Sequence, residues 1–360
     1  MINRNRLFLD IHVIQTVPPS NINRDDTGSP KTAQYGGVRR ARVSSQAWKK
    51  AMRDYFNEYG ALDSVGVRTL DIVHYVAEKI AQLDPSIKES DAFQQAEEAI
   101  NNAGISTKDG KAKALFFIGD KQATALAQAT LDGVKEKKTL QAMLNNEPSV
   151  DIALFGRMVA DDPSLNEDAS AQVAHAISTH AVQTEFDFYT AIDDLSPEDS
   201  AGAGMLGTIE FNSSAMYRYA NVAVHELYRQ LGGKEHTLNA LKLFIKSFAN
   251  SMPTGKSNTF ANQTLPQAIL VVVRNDRPVN LVSAFEEPVK SSEGYVQKSI
   301  DKLFEEFKEV ERFVRQPVFA SYVTGYDVDT CHGIQAEPDL VTLLDKFSDE
   351  MKGLMPEKVE

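Results

Sequence analysis

The 360-residue chain has one cysteine, Cys331, and one tryptophan, Trp48. A lone thiol forms no internal disulfide and no multi-thiolate metal site. The longest unbroken apolar run is six residues, Ala268 to Val273, against the roughly 18 or more that a membrane-spanning helix needs. The opening MINRNRLFLDIHVIQ is basic, but Asp10, His12 and Gln15 interrupt its apolar stretch, so it does not read as a signal peptide. A cytoplasmic protein without a membrane partner is expected. No repeat of 20 to 50 residues is visible, which argues against a solenoid or propeller. Excess positive charge is also missing. There are 38 basic and 50 acidic residues, a net charge of −12, and a pI near 5.2. That balance alone argues against a nucleic-acid binder, whose footprint is usually basic.

The average conceals a local exception. From Gly36 to Arg53 the chain reads GGVRRARVSSQAWKKAMR, with six basic residues and no acid, and a nucleic-acid groove needs only local charge. Arg39, Arg40 and Arg42 lead into Ser44 or Ser45, either of which can cap a helix. Within that helix Trp48, Met52 and Tyr55 make one buried face, while Gln46, Lys49 and Arg53 make a polar ridge. A helix N-terminus offers free amides to a phosphate, and the ridge would continue the path along a sugar-phosphate backbone. The same residues equally describe a solvated basic face, and the residues alone divide the two readings evenly.

Elsewhere the pattern predicts a strand over Leu7–Thr16 with Leu9, Ile11 and Val13 on one face, then a polar loop. Helical periods follow at about 66–83, 90–103 and 112–145, and again before His180. Strands are predicted at 184–192, 208–222, 268–274 and 318–323, with helices at 222–231, 237–250 and 295–312 and a short, frayed C-terminal helix. Without the 60–180 block the order reads as a ferredoxin-like βαββαβ sheet with helices on one face. The expected class is α+β with a large helical insertion.

Most candidate chemistry fails on spacing. Ser251 to Ser257, SMPTGKS, ends like a phosphate-binding loop but has Asn250 where glycine is required, and it follows a helix. His175 and His180 would lie about 140° apart on a helix and could not share a metal. His225-Glu226 lacks a second histidine, and Cys331-His332 is isolated. Asp25 and Asp26 could hold Mg²⁺ or assist RNA cleavage, but Asp before Thr-Gly is turn chemistry, paired here with Arg24. No enzyme, metal or cofactor is expected. After Leu195 the segment to Gly207 is small and acidic, and its only large apolar residues are Met205 and Leu206. Such an apolar pair at a loop tip usually has an interaction to make, or else packs on its own hairpin.

Several stretches resemble the CasC family, the CRISPR RNA-binding backbone subunit of the type I-E Cascade complex. They are NRDD (23–26), the basic run 36–53, DIALFGRM (151–158), AHAISTHAV (174–182), FDFYTAIDDL (186–195), LGTIEF (206–211), YRYANV (217–222) and SAFEEPV (283–289). The resemblance implies an RRM-like palm (1–60 and 181–335), helical fingers (61–180), a thumb (195–216) and a C-terminal tail (336–360). Copies would stack head to tail along a CRISPR RNA, with other Cascade subunits along and at the ends of the filament. The guide would pair with target DNA, and the thumb would flip out a base at intervals. By motif position Arg24, Ser44, Gln46, Lys49 and Arg53 carry over as RNA-backbone contacts. Met158, Phe188 and Tyr189 carry over as apolar contacts near the displaced nucleotide, and Leu206 as the thumb tip. With Met205, Lys31, Arg39, Arg40, Arg42, Lys50 and Lys256, these make up the candidate RNA-binding set. A related backbone ribonuclease using Asp25 or Asp26, and an RNA-free scaffold, are the alternatives.

Overall fold

The computed structural model describes residues 6–61, 65–191, 205–329 and 334–356. The thumb segment 192–204, the Met205 side chain and the Cys331-His332 pair therefore lie outside the described residues. The N-terminal part comprises β1 (Phe8–Ser20), β2 (Thr32–Tyr35), β3 (Val38–Val43) and α1 (Ser45–Tyr59). The helical part comprises β4 (Val67–Thr69), α2 (Ile72–Leu83), α3 (Glu89–Asn102), β5 (Thr107–Lys108), β6 (Lys111–Ala112), β7 (Phe116–Ile118), α4 (Asp120–Leu131), α5 (Lys137–Asn145) and α6 (Val150–Phe155). The chain returns through β8 (Ala171–Val173), β9 (Ala176–Ser178), β10 (Glu185–Ala191), β11 (Met205–Ala223), α7 (Val224–Leu231), α8 (Lys234–Asn250) and α9 (Ser257–Phe260). It ends with β12 (Pro266–Arg274), α10 (Val296–Glu309), β13 (Phe319–Thr324), β14 (Gln335–Ala336) and α11 (Leu340–Leu354).

The main sheet runs β14-β13-β12-β1-β11-β9-β3-β2, with β8 and β10 also pairing with β11. Apart from the parallel β13–β14 pair, these ladders are antiparallel. Along β1, Leu9, Ile11 and Val13 face a core built with Trp48, Met52 and Phe56 of α1, Phe244 and Phe248 of α8, and Leu343 and Phe347 of α11. Here α1 buries Phe56 at the position where the pattern suggested Tyr55, which is only half-buried. The opposite face of the sheet is covered as well. Ile14, Tyr217, Tyr219, Leu270 and Val272 pack under Ile300, Leu303, Phe304 and Phe307 of α10 and under the 3₁₀ turn Leu281–Phe285. Helices on one face only, as expected from the pattern, is thus corrected, because the amphipathic α10 returns across the second face. The C-terminal helix is likewise no loose tail, since Leu343, Leu344, Phe347 and Met351 are core residues.

A separate core joins α2, α3, α4 and α5 through Val73, Ile80, Ala96, Ile100, Leu126 and Leu140. The insertion does not stay helical to its end. Ala171–Val173 and Ala176–Ser178 are strands hydrogen-bonded to β11 and β3, so the helix expected before His180 is absent. The angular argument about His175 and His180 goes with it.

Because the second face is covered, its polar residues are buried. Asp10 accepts hydrogen bonds from the Tyr219 hydroxyl (2.6 Å) and the Val279 amide (3.1 Å), with Arg274 Nε 3.9 Å away. Burial pushes Asp10 up to about 7, and Asp276 nearby adds to the rise, while Tyr219, Val279 and Arg274 oppose it. His12, hydrogen-bonded to the Tyr217 hydroxyl at 2.9 Å, is lowered to about 3 by burial and is neutral. An acid raised on folding stabilises fully below its unfolded value and loses that stabilisation as pH rises through its folded value. The melting temperature of Asp10→Asn relative to wild type should therefore climb between about pH 4 and pH 7 and level off above. A constant difference across thermal melts in that window would contradict this.

Candidate nucleic-acid interface

The basic run folds as β3 followed by α1, and a local cap together with contacts from Asn23 and His175 fixes the junction. Ser44 caps α1, its hydroxyl accepting the Ala47 amide at 3.3 Å. Asn23 Oδ1 accepts the Ser44 amide at 2.8 Å, tying the 21–31 loop to the helix start. His175 Nδ1 accepts the Ser45 amide at 3.2 Å and lies 3.3 Å from Arg42 Nη1. An Nδ1 that accepts an amide proton belongs to a neutral imidazole. Burial first, then the charges of Arg42 and Lys31, lower the His175 pKa. The sequence reading missed Asn23 and His175 as determinants of this edge, since nothing local marks a partner 130 residues away.

The 21–31 loop is itself braced. Asp25 accepts from the Thr27 hydroxyl (2.7 Å) and from the Thr27 and Ser29 amides (3.0 Å each). These bonds, the Thr27 hydroxyl foremost, hold its carboxyl below the usual range. The turn role expected for Asp25 is therefore seen, but the ion pair expected with Arg24 is not formed among the described residues. Asn21 Nδ2 spans the carbonyls of Gly28 and Glu210, fastening the loop to β11.

The candidate cations separate into two groups. Arg40 is fully buried, donating to the carbonyls of Tyr35 (3.1 Å), Ser178 (2.9 Å), Phe285 (2.7 Å) and Glu286 (3.3 Å). Arg53 donates to the buried Asp151 at 3.0 Å and to the Gly66 carbonyl at 3.2 Å. Ser44 spends its hydroxyl on the cap. Lys50 pairs with Asp54 at 2.7 Å on an exposed face, and Arg42 donates to the Thr32 carbonyl at 3.2 Å. Arg40, Ser44 and Arg53 thus each have internal partners that give them a structural role. Arg24, Arg39 and Gln46 are exposed, and Lys31 and Lys49 half-buried, without ion-pair partners among the described residues. Lys49 Nζ sits 5.7 Å over the Phe155 ring, and burial and then Arg68 lower its pKa. Arg68, exposed on β4, is a cation the sequence reading passed over.

The apolar candidates are presented to solvent. Met158 is 84% exposed, beyond the end of α6. In the β10–β11 ribbon Phe186 and Phe188 stand on one face with Leu206, which lies across from Thr190 and is 65% exposed. Tyr189 lies on the other face over Gly207, where a Cβ would come within 2.4 Å of its ring. Lys256, in the αL conformation (φ 52°), precedes the four-residue α9 as its N-cap and is half-buried. Among the described residues no group of three or more His, Cys, Asp or Glu is placed to hold a metal ion, and no helix is long and apolar enough to cross a membrane.

Fold and site together define an α+β protein with one open, cationic sheet edge and a solvent-exposed apolar ribbon beside it. The chain belongs to the family described as CT1975-like protein, whose model matches residues 9–346. It is similar to a chain of a "CRISPR RNA-guided surveillance complex, pre-nicking" at 30% identity and a TM-score of 0.84, over 96% of this chain and 100% of that one. A chain of another "CRISPR RNA-guided surveillance complex" matches at 28% identity and a TM-score of 0.65, over 95% and 98%. A search of curated proteins finds no match. The resemblance to Cascade backbone subunits read from the motifs is borne out by the family and by these two structures.

Proposed function

We propose that this chain is a CRISPR RNA-binding backbone subunit of a Cascade complex of type I-E, without catalytic activity and working in the cytoplasm. The observation that carries the reading is the similarity, end to end, to a chain of an RNA-guided surveillance complex. Supporting it, Arg24, Lys31, Arg39 and Lys49, on the 21–31 loop, β3 and α1, have no ion-pair partner among the described residues, and Gln46 is exposed on α1. Phosphate contacts of this kind hold a backbone and leave the bases free, so specificity for target DNA would come from guide pairing. The strand order β12-β1-β11-β9, with α1 after β1 and α7 and α8 after β11, supports reading this part as a ferredoxin-like, RRM-like palm. Its sheet faces are covered, which favours the edge as the RNA surface. The core of α2 to α5 would be the fingers, and the β10–β11 ribbon the root of a thumb that kinks the guide with Leu206. Head-to-tail stacking of identical copies is the heterologous contact that propagates as a helix until other subunits cap it. A nuclease reading finds little support at Asp25, whose carboxylate is occupied by its turn.

The test is a salt titration of guide binding by the assembled protein. Each phosphate contact contributes a slope of roughly −0.7 in log K against log salt. Lys49→Gln should weaken binding and flatten the slope by about that amount, with an unaltered melting temperature. Protein that carries no RNA on purification, and shows no salt-dependent guide binding, would reject the reading.

A further inference from the structure

We propose that the β5–β6 hairpin is a second contact for a nucleic-acid sugar-phosphate backbone, extending the cationic edge of the palm onto the helical unit. The inference rests on the palm reading above. The hairpin has two-residue strands joined by Asp109 and Gly110, both at positive φ (53° and 74°), as a tight two-residue turn requires. Its register places Lys108 directly opposite Lys111, and Lys113 follows two residues on. All three are exposed. None of their ammonium groups has an ion-pair or hydrogen-bond partner among the described residues. Like charges facing each other across an antiparallel pair destabilise it.

A two-stranded hairpin is marginal in water by itself, yet this one is clamped at several points. Asn101 Nδ2 donates to Thr107 Oγ1 (2.7 Å), the Thr107 amide donates to Asn101 Oδ1 (3.2 Å), and Thr107 Oγ1 donates to Glu97 (3.0 Å). Gly110 lies against Phe93, where a Cβ would stand 2.5 Å from the ring. The Ala112 amide donates to the Leu70 carbonyl at 2.8 Å. The fold thus fixes the backbone that carries three exposed lysines, in a protein whose net charge is −12. No carboxylate forms an ion pair with them among the described residues. Asp109 sits in the turn, Glu97 is engaged by Thr107, and Asp161 accepts the Ser106 amide at 3.2 Å.

Position supplies the second argument. Leu70 connects the hairpin to β4, whose Arg68 guanidinium lies 4.9 Å over Phe117 and close enough to Lys49 to lower its pKa. Lys49 and Arg68 are therefore neighbours, and the hairpin is hydrogen-bonded to the chain two residues beyond Arg68. A cluster of unpaired cations on a fixed hairpin is matched by the closely spaced phosphates of a nucleic-acid strand, which would relieve the Lys108–Lys111 repulsion. Both the guide and its target DNA offer that chemistry.

The experiment compares the guide-loaded assembly with its Lys108→Gln/Lys111→Gln/Lys113→Gln variant. Guide affinity and target-DNA affinity are each titrated against salt. Engagement of two or three lysines should flatten one slope by roughly 0.7 per contact for a single strand or 0.9 for a duplex. The arm that changes identifies the source. The variant should melt at or above the wild-type temperature, since glutamine removes the repulsion. Should the triple variant fail to assemble, Lys111→Gln is read alone for a change of one contact. Unchanged slopes in both arms, with wild type binding its guide, overturn the inference and leave the palm reading standing. A wild-type chain that binds no guide overturns both.

Discussion

Replacing Arg53 with alanine is expected to destabilise the protein by about 3–5 kcal/mol, the usual cost of stranding one member of a buried ion pair. Asp151 is completely buried and accepts from Arg53 Nε (3.0 Å), the Gly66 amide (2.9 Å) and the Ser149 hydroxyl (2.7 Å). The Arg53 guanidinium also lies 4.4 Å over the buried Phe117. One side chain therefore joins α1, the chain at Gly66 and α6, where the two cores meet. Without it Asp151 keeps only two neutral donors for a full charge. Removing both charges, in Arg53→Met/Asp151→Asn, should recover much of the loss, because a buried pair replaced by neutral groups of similar size is often tolerated. Urea midpoints of the three variants decide the matter. An Arg53→Ala protein within about 0.5 kcal/mol of wild type would show that the pair does not carry the joint. Lys49, one turn away on the same ridge, should behave in the opposite sense, with stability kept and guide binding weakened.

Arg40→Ala should be at least as damaging. Its guanidinium reaches carbonyls on β2, at the end of β9 and at the end of the 3₁₀ turn Leu281–Phe285, and so bolts the edge strands to the second face of the sheet. Each buried carbonyl left without a donor costs about 1–3 kcal/mol, and the vacated volume adds to that. Lysine at this position keeps the charge but not the planar fork, and an ammonium group cannot span carbonyls so arranged. Arg40→Lys should fall between wild type and alanine in melting temperature. Equal melting of all three proteins would mean that the carbonyls find other donors. Loss of RNA binding in either variant would follow from loss of the edge strands and would not mark Arg40 as a phosphate ligand.

Elements governed by local periodicity were readable in advance. The α1 helix starts at the serine pair, β11 and β12 fall where alternating and unbroken apolar runs placed them, and α7 stops at Gly232, whose φ of 69° suits a residue without a side chain. The segment 171–178 was misread because three-residue strands are too short to show a period of two, and their ladder partners lie in β11 and β3. The cover on the second sheet face was misread for a related reason. Asp10 and His12 look like a solvent-facing row, and only α10 and the turn near Val279 make that row interior.

By itself the sequence determined the class, the order of most elements, the family and the place of the basic run. Those depend on residue type and on neighbours within a turn or two. The tertiary structure decided which charges remain free, since that depends on partners distant in the chain. Arg53 meets Asp151 across 98 residues, and Arg40 meets Ser178 across 138 and Phe285 across 245. Lys49, Arg39 and Lys108 meet no such partner among the described residues. Desolvation makes a buried charge bind whatever donor or acceptor the fold brings to it, so basic residues that look equivalent in sequence divide into bolts of the core and an open edge.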